Sequence, residues 1–295
     1  MTPEPLVSVV IPAFNQERFL GEAIESALQQ TYATREVIVI DDGSTDATAE
    51  VIASFGSGVR SVRQQNRGTG AARNAGVAAA SGELVALLDH DDRWLPNRLA
   101  LQVPLIVDPS IALVHGGVRV FRSETGEVTS EVLPPARMDI HDLIGWCTVA
   151  CSTTLFRRVD VLAAGGFDEA LRGTDDWDLW IRLLDRGVAV GVPQILSEMR
   201  IHATNQGGDP ERVLTEGLRV VERHRQHHPG CADCHDAAER ARIGLLDHYY
   251  ASVAVSADAA WRAGHRARAL RLRASGILRH PGVLKRIPTR LRPSS

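Results

Sequence analysis

The sequence places three closely spaced acids directly after a run of aliphatic residues. Residues 84–88 are apolar, and Asp89-His90-Asp91-Asp92 follow them. Carboxylates at the end of a buried strand can hold a hard divalent cation, with water and substrate oxygens completing the coordination shell. Such a metal would neutralise a departing diphosphate as a Lewis acid. The alternative is a capped, solvated turn, because a lone Asp-x-Asp pair is common in proteins.

A second acidic pair occupies a similar position. Asp41-Asp42-Gly43-Ser44 follow the apolar residues 37–40. A carboxylate there can accept hydrogen bonds from a nucleotide base or from ribose hydroxyls, and Gly43 permits a tight turn. The alternative is a turn that caps the next helix, with no ligand involved.

A third acidic cluster combines carboxylates with tryptophans. Asp175, Asp176 and Asp178 alternate with Trp177 and Trp180. Indole faces pack on the C–H surfaces of sugars, and one carboxylate could serve as a general base toward an acceptor hydroxyl. The alternative is an acidic helix N-terminus that is favoured by the helix dipole, with both tryptophans in the core.

A glycine-rich segment, residues 68–76, leads into a small-residue helix that contains Arg73. The N-terminus of this helix and Arg73 could both meet a diphosphate. The segment does not follow the first predicted strand, as a dinucleotide-binding fingerprint would. We therefore exclude an NAD-binding interpretation.

The elements that must position these groups alternate regularly in the first half of the chain. Hydrophobic patterning predicts strands at residues 7–11, 37–40, 59–63 and 84–88, and helices at residues 19–28, 44–51 and 68–80 between them. This order predicts an α/β fold with a Rossmann-like, mostly parallel sheet flanked by helices. Ligands of such sheets bind outside the carboxyl ends of the strands, so we expect the polar clusters to converge at one edge.

The second half is less regular and ends in helices. Residues 111–121, 153–156 and 188–192 favour strands, and residues 177–184 begin an amphipathic helix. The chain beyond residue 209 favours helix, with breaks near residues 229–230 and 281–282. We expect a catalytic domain at 1–208, with a nucleotide-sugar-binding half at 1–110 and an acceptor-binding half at 111–208. A helical C-terminal region with a basic tail would occupy 209–295.

Composition indicates a globular protein of 295 residues, with 44% hydrophobic and 23% charged residues. The four cysteines are too few for a disulfide scaffold, and the sequence shows neither a signal peptide nor an apolar stretch long enough to span a membrane. These features predict a cytoplasmic protein, with peripheral attachment to the inner face of the membrane as an extension of that prediction.

The charge is distributed unevenly. Residues 259–295 contain ten Lys or Arg and no acid, which leaves 23 basic and 36 acidic residues in 1–258. A basic amphipathic helix can bind an anionic membrane surface, whereas the alternative is a helix packed on the acidic body. No accompanying motif indicates nucleic-acid binding.

A cysteine pair near the C-terminus suggests zinc but lacks partners. Cys231 and Cys234 are followed by His235 in the sequence. A structural zinc site needs about four ligands, and no second pair is evident. A surface loop is the alternative that the sequence favours, although His224, His227 and His228 lie nearby.

Taken in order, these motifs resemble the inverting family 2 glycosyltransferases, which have the GT-A fold. The resemblance covers roughly residues 6–205. The matching segments are residues 7–15, 30–32, 37–46, 66–68, 72–76, 88–92 and 94–96. So many ordered matches are very specific.

The resemblance implies a role for each matching residue. The nucleotide sugar would bind to Pro12, Ala13, Phe14, Asn15, Asp41, Asp42, Arg73, Asp89, His90 and Asp91. Mn²⁺ or Mg²⁺ would be bound by Asp91, with Asp89 and His202 as further ligands. Asp176 would be the catalytic base, and Asp175, Trp177 and Trp180 would contact the acceptor. Asp175 stands where the family usually has Glu.

The implied activity is transfer of a sugar from a UDP-sugar or dTDP-sugar to a hydroxyl of a saccharide or lipid-linked acceptor. It would take place by single displacement in polysaccharide, cell-wall or glycolipid assembly. Two alternatives are a sugar-nucleotide-binding protein without transfer activity and a sugar-1-phosphate nucleotidyltransferase. The latter needs a glycine-rich loop directly after the first strand, where this sequence has Pro12-Ala13-Phe14-Asn15.

Overall fold

The structure is a computed structural model that describes residues 4–202, 209–262, 264–267 and 270–271. The predicted alternation of strands and helices is confirmed in the first half. The elements are β1 (Val7–Ala13), α1 (Leu20–Leu28), β2 (Arg35–Asp41), α2 (Thr48–Ser54), β3 (Arg60–Arg63), α3 (Thr69–Ala79) and β4 (Leu84–Leu87).

One helix start was predicted wrongly. α2 begins at Thr48, and neither Ser44 nor Thr45 caps it. The Ser44 hydroxyl instead accepts a hydrogen bond from the Asn15 backbone N–H, and the Thr45 N–H donates to the Asn15 side-chain oxygen. These contacts hold residues 44–45 against the loop after β1, so the helix begins later.

The second half contains the predicted strands near residues 111–121, 153–156 and 188–192 and the predicted helix near 177–184, together with several short elements that the sequence did not indicate. The elements are β5 (Arg93–Trp94), α4 (Arg98–Ile106), β6 (Ile111–Arg122), β7 (Val128–Val132), β8 (Arg137–Met138), α5 (Ile140–Gly145), β9 (Leu155–Arg157), α6 (Arg158–Ala163), α7 (Asp175–Leu184) and β10 (Val188–Ile201).

Strand β10 is much longer than the predicted segment 188–192. Its pairing with β6 shifts register between Val192 and Ile195, next to Pro193. Proline lacks an N–H group and is tolerated in strands mainly at bulges. The predicted strand therefore stopped before Pro193, whereas the actual strand continues through a bulge at this position. The extension to Ile201 carries His202 to the edge of the sheet where the acids after β4 lie.

All ten strands join one sheet in the order β3-β2-β1-β4-β9-β6-β10-β5, with β7 paired to β6 and β8 to β10. β3, β2, β1 and β4 are parallel neighbours, and the long β6–β10 pairing is also parallel. The remaining pairings, made by β5, β7, β8 and β9, are shorter and antiparallel. This mixed but mostly parallel sheet confirms the predicted fold class.

Helices cover both faces of the sheet and produce two apolar clusters. One cluster contains α1 and α4 residues against the sheet, including Leu20 and Leu99. The other contains Phe156 of β9 and Trp180 of α7. Because both faces are covered, every residue of β1 and β4 is buried, which explains their continuous aliphatic runs.

The C-terminal helices share this second cluster. α8 (Pro210–His227) and α9 (Ala232–Arg262) contribute Leu214, Val221 and Leu245 to the core that contains Trp180. Asp178 of α7 lies under α8 and accepts hydrogen bonds from Arg223 and His224. The described part of the helical region is therefore continuous with the sheet domain. The boundary at residue 208 stays a prediction.

None of the helices in the described ranges is both long and apolar enough to cross a bilayer. The predicted break at residues 229–230 is confirmed, since α8 ends at His227 and α9 begins at Ala232. The predicted break at residues 281–282 and most of the basic tail lie outside the described residues.

Helix α3 packs directly on β1 at Gly76. A Cβ atom at this position would overlap Val10 Cγ1, a methyl carbon of the buried strand. We therefore expect Gly76→Ala to lower the free energy of unfolding by about 1–3 kcal/mol or more, measured by urea denaturation.

Gly21→Ala is the matched control, because Gly21 also lies in a helix but its Cβ would have only Val51 Cγ1, at 3.9 Å. It should be neutral or stabilise by up to about 1 kcal/mol. Equal effects of the two substitutions would contradict the close approach of α3 to β1.

Candidate active site

A cleft of about 200 Å³ opens where the parallel strands end. Residues from the carboxyl ends of three strands line it: Pro12, Ala13 and Phe14 after β1, Asp42 after β2 and His90 after β4. The predicted convergence of distant loops is thus present in the structure. His90 Nδ1 donates to the Pro12 carbonyl at 2.8 Å, which ties two of these loops together.

Asp42 faces the cleft and is also fixed by backbone donors. One of its oxygens accepts from the Arg67 N–H and the other from the Gly68 N–H, at 3.0 and 2.8 Å. Gln64 Nε2 donates to the same carboxylate at 2.7 Å. The carboxylate therefore anchors the loop that leads to the N-terminus of α3.

Two residues predicted to contact the nucleotide support the cleft instead of lining it. Asp41 is buried, and its Oδ1 accepts from the Ser44 N–H. Asn15, with a φ of 52°, bonds to the turn at Ser44 and Thr45. Both shape the wall of the cleft, so the prediction that they bind the nucleotide directly is not supported by this geometry.

The acids after β4 point in different directions. His202 Nε2 lies 2.9 Å from Asp91 Oδ2, and the His202 ring packs against Phe19. Asp89 Oδ1 instead accepts a hydrogen bond from Arg73 at 2.9 Å. The acids that were predicted to act together are thus divided between two partners.

Asp91 and His202 fit a divalent cation site. Mg²⁺ binds ligands at about 2.0–2.1 Å, so neighbouring octahedral ligand atoms lie roughly 3 Å apart. The observed separation between the Asp91 and His202 atoms agrees with that spacing. One or two protein ligands suffice when substrate phosphates complete the shell. Asp89 is a less suitable ligand than predicted, because Arg73 holds it.

Asp92, the third acid, is buried and does not face the cleft. It accepts from Ser152 Oγ at 2.6 Å and from the Arg200 N–H at 3.1 Å. Burial, and then the neighbouring charges of Asp91 and Asp89, raise the pKa of Asp92 well above its ordinary value. This side chain therefore supports the loop through these two hydrogen bonds.

Arg73 joins two of the acidic segments. Its Nη1 donates to Asp175 Oδ2 at 2.7 Å and its Nη2 to Asp89 Oδ1 at 2.9 Å. The guanidinium is buried and also lies over the Phe167 ring. Although burial alone would lower it, the neighbouring carboxylates keep the pKa of Arg73 well above its ordinary value. The expected contact with a diphosphate is replaced by these ion pairs.

Asp176 lies in the first turn of α7, next to this ion-paired centre. It is half-buried, and its Oδ1 accepts from the Trp177 N–H at 2.7 Å. Burial raises the pKa of Asp176 to about 7, with Arg73 opposing and Asp175 reinforcing the shift. A carboxylate with this pKa suits a general base at neutral pH.

The three α7 residues that were predicted to contact the acceptor, Asp175, Trp177 and Trp180, are all buried. Trp180 is fully buried, and Trp177 is 5% exposed with its Nε1–H donating to the Leu143 carbonyl. Both tryptophans belong to the core, as the alternative interpretation allowed. Asp175 is 2% exposed and serves Arg73. The local sequence pattern fits both a sugar-contacting and a core role for the tryptophans, and only the tertiary packing distinguishes the two.

The structure adds cleft residues that the sequence analysis did not assign. Asn66, Gly68, Thr69, Ala72 and Arg172 complete the lining. Arg172 is an exposed cation in the loop before α7, and its guanidinium lies over Gly68. Nothing in its local sequence marks it, because the loop that carries it reaches the cleft only by packing on α3, where Asn74 bonds to the Phe167 backbone.

The site therefore combines a Rossmann-like sheet with acidic loops at the carboxyl ends of its parallel strands. The family model described as Glycosyl transferase family 2 matches residues 8–164. The chain belongs to this family, as the resemblance of its motifs had implied.

Similar proteins agree with this assignment. An uncharacterized glycosyltransferase of Rickettsia typhi is 32% identical over 213 residues, which cover 68% of this chain and 65% of that protein's length. The UDP-Glc:alpha-D-GlcNAc-diphosphoundecaprenol beta-1,3-glucosyltransferase WfgD of Escherichia coli is 28% identical over 220 residues, covering 73% and 85%.

A solved structure confirms the GT-A fold. The mannosyltransferase PcManGT from Pyrobaculum calidifontis, in complex with GDP-Man and Mn²⁺, superposes with a TM-score of 0.63 at 21% identity. The superposition covers 93% of this chain and 84% of that one.

Removal of the buried cation at position 73 leaves two carboxylates without their partner. We expect Arg73→Gln to lower the free energy of unfolding by about 3–5 kcal/mol, measured by urea denaturation. The control is Arg67→Gln, which breaks the more exposed ion pair with Glu169 and should cost about 0–1 kcal/mol. Equal losses in both variants would argue against a central role for the buried pairs.

Proposed function

We propose that this glycosyltransferase moves a sugar from a nucleotide-diphosphate donor to an acceptor hydroxyl with inversion at the anomeric carbon. The observation that carries the proposal is the Arg73 bridge, which holds the acidic segment after β4 beside the first turn of α7. Donor-binding and proton-accepting groups are thereby kept at one edge of the sheet.

Donor binding in this proposal uses the described cleft. The base and ribose lie against Phe14 and Asp42, and the Asp42 carboxylate can accept hydrogen bonds from base or ribose donors. The diphosphate lies toward the N-terminus of α3, where Gly68 and Thr69 line the cleft and the helix dipole favours an anion. Arg172 adds a positive charge in the same wall.

Asp91 and His202 are the residues that would hold a divalent cation. When bound, Mn²⁺ or Mg²⁺ supplies Lewis-acid stabilisation of the departing diphosphate. The donor set of one carboxylate and one imidazole suits Mn²⁺ as well as Mg²⁺. Asp89 contributes indirectly by fixing Arg73.

Asp176 accepts the proton of the attacking acceptor hydroxyl. Because the acceptor oxygen attacks the anomeric carbon directly, no protein nucleophile is required. Asp175 positions the first turn of α7 through Arg73, and the Trp177 core contact holds the helix that carries the base.

The chemistry of the relatives favours a UDP-sugar donor and a lipid-linked acceptor. The name of the E. coli relative specifies UDP-Glc and a diphosphoundecaprenol-linked GlcNAc. Such an acceptor lies at a membrane surface, where residues 259–295, with ten basic side chains, would bind anionic headgroups. Membrane contact by this tail stays a prediction, since most of it lies outside the described residues.

Replacement of the general base, Asp176, should impair sugar transfer without impairing donor binding. We expect Asp176→Asn to lower kcat by at least about 100-fold, because the acceptor proton loses its receiving group. The donor dissociation constant, measured by calorimetry, should change little. Asp247→Asn, which alters an exposed acid on α9, is the control and should keep full activity. Loss of donor affinity in Asp176→Asn would count against the assignment.

The raised pKa of Asp176 also predicts a pH dependence. The base must be deprotonated, so kcat/KM should rise about tenfold per pH unit below roughly pH 7 and level off above it. Transfer rates measured from pH 5.5 to 8.5 with saturating metal check this expectation. A profile that is flat through pH 6–7 would contradict it.

The cation site has its own test. We expect Asp91→Ala to abolish the increase in donor affinity that Mn²⁺ produces, because the principal carboxylate ligand is lost. Calorimetric titration of the donor with and without Mn²⁺ measures this difference. If the variant still responds to Mn²⁺ like the unmodified protein, Asp91 is not the ligand.

A further inference from the structure

A second cluster of metal-binding side chains lies at the junction between the sheet domain and the C-terminal helices. Cys231 and Cys234, at the start of α9, meet His141 from α5, and the ligand atoms of all three lie within 4.8 Å of one another. The sequence showed no second ligand pair beside the two cysteines, but the fold supplies a histidine from 90 residues away.

The separations within this cluster are those of a tetrahedral zinc site. Zn–S bonds of about 2.3 Å and Zn–N bonds of about 2.0–2.1 Å place sulfur and nitrogen ligands roughly 3.5 Å apart. Cys231 Sγ and His141 Nε2 are 3.5 Å apart. His228 Nδ1 lies 3.4 Å from Cys234 Sγ, which makes His228 the nearest fourth ligand.

Carboxylates lie behind both histidines. His228 Nε2 is 3.2 Å from Asp185 Oδ1, and His141 Nδ1 is 3.5 Å from Asp139 Oδ1. In each case the carboxylate contacts the ring nitrogen that does not face a cysteine. Zinc-bound histidines usually place their second nitrogen on such a partner, which fixes the ring orientation. A chance surface cluster has no reason to show this arrangement twice.

The backbone orients one thiol of the cluster. The Cys234 N–H donates to Cys231 Sγ at 3.3 Å, and the same sulfur lies beside His141 Nε2.

We propose that Cys231, Cys234, His141 and His228 form a structural Zn²⁺ site. Two thiolates and two imidazoles select zinc over the hard cations that serve the active site. All four positions are filled by protein, as in structural and not catalytic zinc sites. This inference is independent of the donor, the acceptor and the mechanism proposed above.

The site would fasten the C-terminal helices α8 and α9 to α5. His228 follows α8, the cysteines begin α9, and His141 lies in the first turn of α5. The Leu143 carbonyl of α5 accepts from Trp177 on α7, the helix that carries Asp176. Zinc would thus connect α8 and α9 to α5, which contacts the helix that carries the general base Asp176.

A redox-active cysteine pair is the main alternative for a Cys-x-x-Cys sequence. That interpretation expects the pair to follow a strand in a βαβ unit, whereas Cys231 follows the turn between two helices. Neither cysteine is part of a disulfide in the structure.

The experiment measures zinc in the full-length protein purified without added chelator, by elemental analysis and by competition with a chromophoric chelator. We expect one Zn²⁺ per chain. His141→Gln and Cys231→Ser should weaken zinc binding by more than the ~10–100-fold that loss of a supporting carboxylate costs. His235→Gln, adjacent to Cys234 in sequence but outside the cluster, should bind zinc like the unmodified protein.

Two further measurements exclude misfolding and the active-site metal as explanations. In an Asp91→Ala background, removal of zinc with a chelator should lower Tm by about 5 °C or more, and Zn²⁺ but not Mg²⁺ should restore it. Co²⁺ should give thiolate charge-transfer absorption that Cys231→Ser removes. Absence of stoichiometric zinc, unchanged affinity in His141→Gln, or a Cys231–Cys234 disulfide in the intact mass would overturn the proposal.

Discussion

The buried ion pairs of Arg73 are the interaction on which the active edge depends. One guanidinium neutralises Asp89 after β4 and Asp175 at the start of α7, two segments that are 86 residues apart in the chain. Without a shared cation, the buried carboxylate of Asp175 and the partly exposed carboxylate of Asp89 would repel each other and the loops would separate. The same contact places Asp176 beside the positive charge of Arg73, while burial raises the pKa of Asp176. The Arg73 ion pairs therefore both hold the loops together and influence the proton affinity of the proposed general base.

The other wall of the cleft is stabilised by hydrogen bonds to the turns. Asp42 holds the Arg67 and Gly68 N–H groups, and Asp41 holds the turn at Ser44. These carboxylates leave a backbone surface at the N-terminus of α3 that is suited to an anion. The turns that form the cleft are therefore held in place by carboxylates that accept hydrogen bonds from backbone N–H groups.

Sequence patterns predicted the first half of the fold well because both faces of its sheet are covered. The strands β1, β2 and β4 read as aliphatic runs, and polar loops at their ends converge as expected. β10 was underestimated because Pro193 interrupts its pattern at a bulge. Trp180 was misassigned because a sugar platform and a core residue have the same local sequence. Arg172 and His141 carry no local signal, since only tertiary packing brings them to their sites.

The central claim is that Asp42, Asp91 and Asp176 serve one donor bound at one edge of the sheet. A crystal structure of the protein with a UDP-sugar and Mn²⁺ tests this most directly. The account predicts the base beside Asp42, the diphosphate between the N-terminus of α3 and an Mn²⁺ held by Asp91 and His202, and the open face of the anomeric carbon toward Asp176. A nucleotide bound elsewhere, or an anomeric carbon facing away from Asp176, would contradict it.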